Sequence, residues 1–185
     1  LKAVALTDIV QVVLLVVGGL MVSYLALDKI ANGAGVLSGF TQLMAAAPEK
    51  FDMILSPDNP HYVSLPGISV LIGGMWIMNF SYWGFNQYIT QRALAAKNLR
   101  EAQKGIAFAA FLKLLMPLIV VLPGIAAVVL SPNLAKPDQA YPEMMKLVPA
   151  GLLGITFAAL IAAIASSLSS MANSISTIFT MDIYK

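Results

Sequence analysis

The sequence predicts an all-α membrane protein with about four transmembrane helices. Of its 185 residues, 59% are hydrophobic and 11% are charged, whereas soluble domains usually carry about 25% charged residues. Four blocks contain no Asp, Glu, Lys or Arg, and they cover residues 9–27, 62–91, 114–135 and 148–181. A helix that crosses a bilayer needs roughly 20 apolar residues. Each block is about that long or longer, so we expect one span in each.

The predicted spans follow these blocks, with a short helix between the first two. We place the spans at about 4–27, 66–91, 105–130 and 149–181. The loop after the first span has turn signals such as Asn32-Gly33 and apolar residues at helical spacing, which predicts an amphipathic helix at about 34–46, lying at the membrane interface. The polar loop before the fourth span is expected to hold a short helix after Pro142.

The distribution of basic residues predicts the orientation of these spans. The link 92–104 has four basic residues and one acid, whereas the loop 28–61 has two lysines and four acids. Basic residues are enriched in cytoplasmic loops. We therefore expect link 92–104 and both termini on the cytoplasmic side, in a multi-pass protein of the cell membrane.

Composition excludes several other classes of function. The net charge is only +2 and no basic cluster is interleaved with aromatic residues, so nucleic acid is not an expected partner. The chain has no cysteine and one histidine, His61, which excludes thiolate and multi-histidine metal sites. No nucleophile–base pair, glycine-rich phosphate loop or carboxylate pair is apparent, so we do not expect an enzyme. The chain begins without methionine, and we interpret it as an internal piece of a longer protein.

Two ionisable residues fall inside predicted spans. Asp8 lies near the cytoplasmic end of the first span, and Lys113 lies nine residues past Lys104 in the third, roughly 13 Å further along a helix. Ionisable groups at this depth are costly and often functional. The alternative is that both side chains snorkel toward the cytoplasmic interface. Position alone leaves both interpretations open.

The centre of the second span is both polar and aromatic. Asn79 and Gln87 carry amides, and Tyr82 and Trp83 lie between them. Sugar hydroxyls would bond to such amides, and the apolar face of a sugar ring would stack on the aromatic rings. Hydrogen bonding between helices and an interfacial aromatic belt explain the same residues equally well. Gly84 would allow a helix break, which transporters use at binding sites.

Small residues, two of them serines, lie on one face of the fourth span. Ala163, Ser166 and Ser167 share that face because they are three and four residues apart. Hydroxyl and carbonyl oxygens are suitable ligands for a hard cation. Close packing of helices through small residues is the alternative.

Four motifs occur in order along the chain: ALTDIVQ at 5–11, YWGFNQYITQRALAAKN at 82–98, LKLLMP at 112–117 and SSLSSMANSISTIFTMDIY at 166–184. With these motifs the sequence resembles the solute:sodium symporter family, and most closely its sodium/glucose and sodium/galactose branch. The resemblance implies the LeuT-like architecture, in which two inverted five-helix repeats enclose a site at the membrane midplane. The chain is similar to the last helix of the first repeat and the first three of the second. It would therefore lack other helices of the same full-length chain, including the one that completes the sodium site.

The resemblance also implies a role for each candidate residue in the sugar site. Asn79 matches a sugar-binding amide, and Lys113 matches a sugar-contacting lysine. Tyr82 matches the aromatic gate beneath the sugar, Trp83 its aromatic neighbour, and Gln87 a residue near the sugar path.

For sodium, the resemblance implies a site on the fourth span. Ser166 and Ser167 match hydroxyl ligands, Ala163 matches a carbonyl ligand, and Asp8 matches an aspartate on the path of sodium release. The expected function is sodium-coupled sugar symport by alternating access, with sodium, a sugar and the lipid bilayer as partners and no cofactor besides the coupling ion. Two alternatives remain: a sodium symporter for a polyol such as inositol, an amino acid or a vitamin, and a sugar sensor that does not transport.

Overall fold

The computed structural model describes residues 2–63 and 67–184, with the side chains of the first range described from residue 7 onward. Within these ranges the α-helices are α1 (Lys2–Ile30), α2 (Val36–Ala46), α3 (Met75–Phe80), α4 (Gln87–Leu94), α5 (Leu99–Lys113), α6 (Leu122–Leu130), α7 (Ala140–Met145) and α8 (Ala150–Ile178). Short π-helical segments occupy Val70–Gly74, Ser81–Phe85, Pro117–Val121 and Phe179–Ile183, and 3-10 turns occupy Pro48–Lys50 and Pro137–Gln139. The described residues form no strand. The predicted all-α fold is confirmed.

Three helical runs in the described part of the chain are long and apolar enough to cross a membrane. They are Thr7–Ile30, Leu99–Leu130 and Ala150–Ile183, and they coincide with the predicted first, third and fourth spans. The predicted second span is helical from residue 68 to residue 85, but this run is not among the three. This span therefore stays a prediction, and its predicted start at residue 66 lies outside the described residues.

The chain divides into two compact units, 1–51 with 110–167 and 52–109 with 168–185. In the first unit α1, α2, α6 and α7 each contribute to one apolar core. Its most deeply buried large side chains are Val22, Leu43, Pro123 and Met144. Many other apolar side chains of the long helices are exposed, such as Ile9 at 62% and Phe157 at 58%. Such faces are suited to contact with lipid or with further helices.

A tight turn folds α2 back onto α1. Asn32 and Gly33 adopt the left-handed conformation, with φ of 51° and 84°, as the Asn-Gly signal predicts. The two helices then approach closely at Gly39, where a Cβ atom would lie 2.0 Å from the carbonyl oxygen of Leu27. Helix α2 thus lies within the predicted range 34–46 and packs through Gly39 and Leu43 into the core. Its position at the membrane interface stays a prediction.

The third long run begins earlier than predicted and is irregular in the middle. It starts at Leu99 rather than at residue 105, because the side chain of Asn98 accepts the backbone N–H of Glu101 at 2.9 Å and caps the helix. Pro117 has no N–H to donate to the carbonyl of Lys113. Consequently α5 ends at Lys113, and a turn and a π-helical segment lead into α6.

In the second unit the helical run breaks at Asn86. This residue adopts an extended conformation with φ of −80° and ψ of 112°, and its side chain accepts the backbone N–H of Tyr88 at 3.3 Å. The sequence placed a potential break at Gly84, which instead lies inside a π-helical segment. The break falls two residues later because Asn86 can cap the next helix, which glycine cannot do with a side chain.

Candidate functional site

Helices α1 and α8 approach each other closely within the first unit. A Cβ atom at Gly18 would lie 2.8 Å from the Cγ2 atom of Thr156. Thr156 is buried, and its hydroxyl donates to the carbonyl of Leu152 at 2.9 Å in its own helix. The small residue on α1 therefore allows the approach, as is typical of helices that pack in membranes.

This approach brings two of the predicted sodium-site residues together. The hydroxyl of Ser166 on α8 donates a hydrogen bond to the Oδ1 atom of Asp8 on α1, and both residues are half-buried. Ala163 is half-buried one turn earlier on α8, whereas Ser167 is exposed. Carboxylate and hydroxyl oxygens are ligands that hard cations prefer. The structure thus brings one predicted ligand, Ser166, into contact with Asp8, and sodium binding at these residues stays a prediction.

An open apolar groove of about 570 Å³ lies between the same two helices. Four residues of α1 from Thr7 to Leu14 and four residues of α8 from Ile155 to Ala162 line it. Apart from Thr7 and Gln11 these residues are apolar. Thr7, the residue before Asp8 in the sequence, is thus one of the residues that line this mainly apolar groove.

The predicted sugar contacts Asn79 and Lys113 belong to different units. Lys113 is exposed at the end of α5 in the first unit. Asn79 is exposed in the second unit, and its amide nitrogen donates to the carbonyl of Met75 at 2.8 Å within α3. A joint contact of the two side chains with one sugar stays a prediction.

The aromatic residues of the second unit form a connected group around the helix break. The hydroxyls of Tyr82 and Tyr88 are 2.7 Å apart, and their rings meet edge to face at a centroid distance of 6.3 Å. Trp83 packs edge to face against Tyr82 at 5.4 Å. Gln87 is half-buried as the first residue of α4. Tyr88 was not singled out from the sequence, because its contact with Tyr82 depends on the break at Asn86.

A second polar group was also missed by the sequence analysis. It links α4 to the last third of α8 and consists of Gln91, Arg92, Ser170 and Asn173. The spacing of Tyr88, Gln91 and Arg92 places them on one helical face. This shared polar face is a signal that α4 makes polar contacts, but it does not indicate the partner residues on α8.

Three long apolar helices, with a carboxylate–hydroxyl contact between two of them, define the chain as part of a polytopic α-helical membrane protein. The family model described as the sodium:solute symporter family matches residues 1–185. The chain belongs to this family.

Curated relatives agree with the family match. The chain is 53% identical over 202 residues to a sodium/glucose cotransporter of Vibrio parahaemolyticus. It is 39% identical over 186 residues to the uncharacterized symporter YidK of Escherichia coli, and 35% identical over 211 residues to sodium/myo-inositol cotransporter 2 of Bos taurus. These matches cover 100% of the chain but 37%, 32% and 31% of the relatives. The chain therefore spans about a third of the length of the curated relatives it matches.

Proposed function

We propose that the protein containing this chain is a sodium-coupled sugar symporter that works by alternating access. The observation that supports this proposal is the hydrogen bond from Ser166, a predicted sodium ligand, to the carboxylate of Asp8. Family membership and the 53% identity to a sodium/glucose cotransporter support it. The solute crosses chemically unchanged, so we assign neither an enzymatic role nor a cofactor besides the coupling ion.

We assign sodium binding to oxygen atoms of α8. Ser166 uses its single hydroxyl proton on Asp8, and its oxygen lone pairs therefore remain for a cation. The hydroxyl of Ser167 and the carbonyl of Ala163 complete the part of the site that this chain supplies. Asp8 then provides a negative charge next to the ligands, along the path by which sodium leaves toward the cytoplasm.

The remaining sodium ligands come from a helix outside this chain. The relatives are about three times as long as the chain, and the groove between α1 and α8 is apolar and open. We assign this groove to the helix that completes the site. Most of its lining is apolar and is suitable for helix packing in a bilayer; these lining residues are Val10, Leu14, Ile155, Ala158, Ala159 and Ala162.

The sugar binds to polar and aromatic side chains of the second and third predicted spans. The amide of Asn79 and the ammonium of Lys113 bond to hydroxyl groups of the sugar, and Gln87 lies beside its path. Tyr82, with Trp83 packed against it, closes the site on the cytoplasmic side.

The transport cycle follows from these assignments. Sodium binds first from outside and favours the outward-open state, and the sugar then binds above Tyr82. The helices rearrange, sodium leaves past Asp8, and the sugar follows. The sodium gradient supplies the energy, since moving one charge through ~100 mV yields about 2.3 kcal/mol.

A polyol is the second candidate solute. Sodium/myo-inositol cotransporters are among the relatives, at 34–35% identity for the bovine and human proteins. A cyclic polyol presents the same hydroxyl groups as a sugar and would use the same amide and ammonium contacts. Identity to the sodium/glucose cotransporter is higher, so we place the sugar first.

Uptake of labelled solutes by the full-length protein in proteoliposomes tests the proposal. We expect an inward sodium gradient to stimulate uptake of D-glucose or D-galactose strongly, and uptake of myo-inositol, proline and pantothenate far less. Replacing sodium with choline should remove the stimulation. Preference for myo-inositol would favour the polyol symporter, and binding of glucose without uptake would favour a sensor.

A further inference from the structure

The face of α4 that follows the helix break is attached to α8 by polar side chains. Gln91 is only 8% exposed. Its amide nitrogen lies 3.3 Å from the carbonyl oxygen of Ser170, and its amide oxygen accepts from the side chain of Asn173 at 3.0 Å. Beside it, the guanidinium of Arg92 donates to the hydroxyl of Ser170 at 2.7 Å. Three hydrogen bonds thus connect α4 to α8 in the second unit.

The same glutamine also reaches back toward the aromatic residues. Its amide nitrogen lies 3.3 Å from the carbonyl oxygen of Tyr88, and the hydroxyl of Tyr88 is 2.7 Å from that of Tyr82. Gln91 therefore uses both amide hydrogens and its oxygen. Two different groups of Tyr88, its hydroxyl and its backbone carbonyl, thus link Tyr82 on one side to Gln91 on the other, and Gln91 in turn bonds to α8.

The chain geometry allows these links to transmit motion. Helix α4 has only eight residues, and the extended residue Asn86 separates it from the preceding helical run. Such a short helix after a break can turn as one body. On α8, Ser170 follows Ser166 by four residues in one continuous helix, so a displacement of the sodium ligands along α8 is carried to Ser170.

We propose that Gln91 is a positioning residue that couples sodium binding to sugar binding. With Arg92 it forms a clamp on Ser170 and Asn173. Through this clamp the position of α8 determines the position of the Tyr82–Tyr88 pair. This inference rests on the proposed function, because it takes Tyr82 as the sugar gate and α8 as the sodium helix. When sodium is bound to α8, the clamp keeps the aromatic pair closed beneath the sugar. When sodium leaves, α8 releases α4 and the pair opens.

A purely structural role for the same bonds makes a different prediction. If the clamp only holds two helices together, its loss lowers the amount of folded protein, or weakens sugar binding equally with and without sodium. If the clamp transmits coupling, its loss reduces the effect of sodium on sugar affinity, because coupling is a free energy shared by two sites.

The test uses Gln91→Ala and Asn173→Ala in the full-length protein in proteoliposomes, with D-glucose and D-galactose as probes. Apparent sugar affinity is measured at low and at saturating sodium, and the ratio of the two values is the coupling factor. We expect each variant to lower this factor at least about fivefold, with affinity at saturating sodium changed less. Thr177→Ala is the matched control, since its exposed hydroxyl bonds to the carbonyl of Asn173 within α8 at 2.8 Å.

A second measurement on the same variants does not depend on sugar. Spin labels at Leu94 and Ile175, which are 79% and 68% exposed, report the distance between α4 and α8 by electron paramagnetic resonance. We expect the distance distribution to broaden in Gln91→Ala and Asn173→Ala and to stay narrow in Thr177→Ala.

The two measurements separate this inference from the proposed function. A coupling factor equal to that of the unmodified protein in both variants would overturn the clamp, as would an unchanged distance distribution. If the unmodified protein transports neither sugar, the proposed function fails, and the spin-label distances alone decide whether the clamp exists.

Discussion

Replacing either Ser166 or Ser167 with alanine should raise the sodium concentration for half-maximal sugar uptake by about ten- to a hundredfold. Each change removes one oxygen ligand, and a bond to a charged group contributes roughly 1.5–3 kcal/mol. Apparent sugar affinity at fixed sodium should fall as well, because coupling between the two ligands is reciprocal. Sodium titrations of D-glucose uptake in proteoliposomes measure both effects.

The serine variants also separate a ligand role from packing. Alanine is a small interface residue, so the loss of a hydroxyl that only packs should have little effect. Ser169→Ala is the matched control, since Ser169 is an exposed serine of the same helix. Sodium dependence that stays unchanged in both Ser166→Ala and Ser167→Ala would refute the sodium site, even though the chain remains a member of the symporter family.

Replacing Lys113 with alanine should weaken apparent sugar affinity about ten- to a hundredfold and leave sodium binding nearly unchanged. The ammonium group would make a charge-assisted hydrogen bond to a sugar hydroxyl, whose loss costs roughly 1.5–3 kcal/mol. Concentration dependence of D-glucose uptake at saturating sodium measures the loss. Direct sodium binding in the absence of sugar measures the expected lack of effect.

Lys104→Ala is the control for the loss of a lysine from the same helix. The Lys104 side chain is 61% exposed and lies 3.0 Å from Glu101, and exposed ion pairs of this kind contribute little. If Lys113→Ala transports sugar with the affinity of the unmodified protein, Lys113 is not a sugar contact. Its position at the end of α5 would then be explained by snorkelling toward the interface.

The long helices could be predicted because a bilayer requires about 20 apolar residues in one run, and uncharged blocks of that length are visible in the sequence. The turn at Asn32-Gly33 could be predicted because few residues adopt left-handed conformations readily. The sequence predicts a break at Gly84, two residues before the observed break at Asn86, since capping by an asparagine side chain competes with the flexibility of glycine. Local sequence does not decide that competition.

Within the candidate site, chemistry was easier to predict than contacts. Asp8 and Ser166 stood out by residue type and depth, but they are 158 residues apart in sequence, and only the folded chain shows that they bond. Gln91 and Asn173 are 82 residues apart, and nothing in either local segment indicates its partner. Contacts between distant segments depend on how helices pack, which residue type and periodicity do not specify.

The central claim is that sodium and sugar cross the membrane together, and coupled flux measured on the unmodified full-length protein tests it most directly. Influx of radioactive sodium into proteoliposomes is recorded with and without external D-glucose or D-galactose. Symport predicts that one of these sugars accelerates sodium influx, and that an inward sodium gradient drives accumulation of that sugar above its external concentration. Sugar uptake that proceeds equally without sodium, or sugar binding that moves no sodium, would contradict the account.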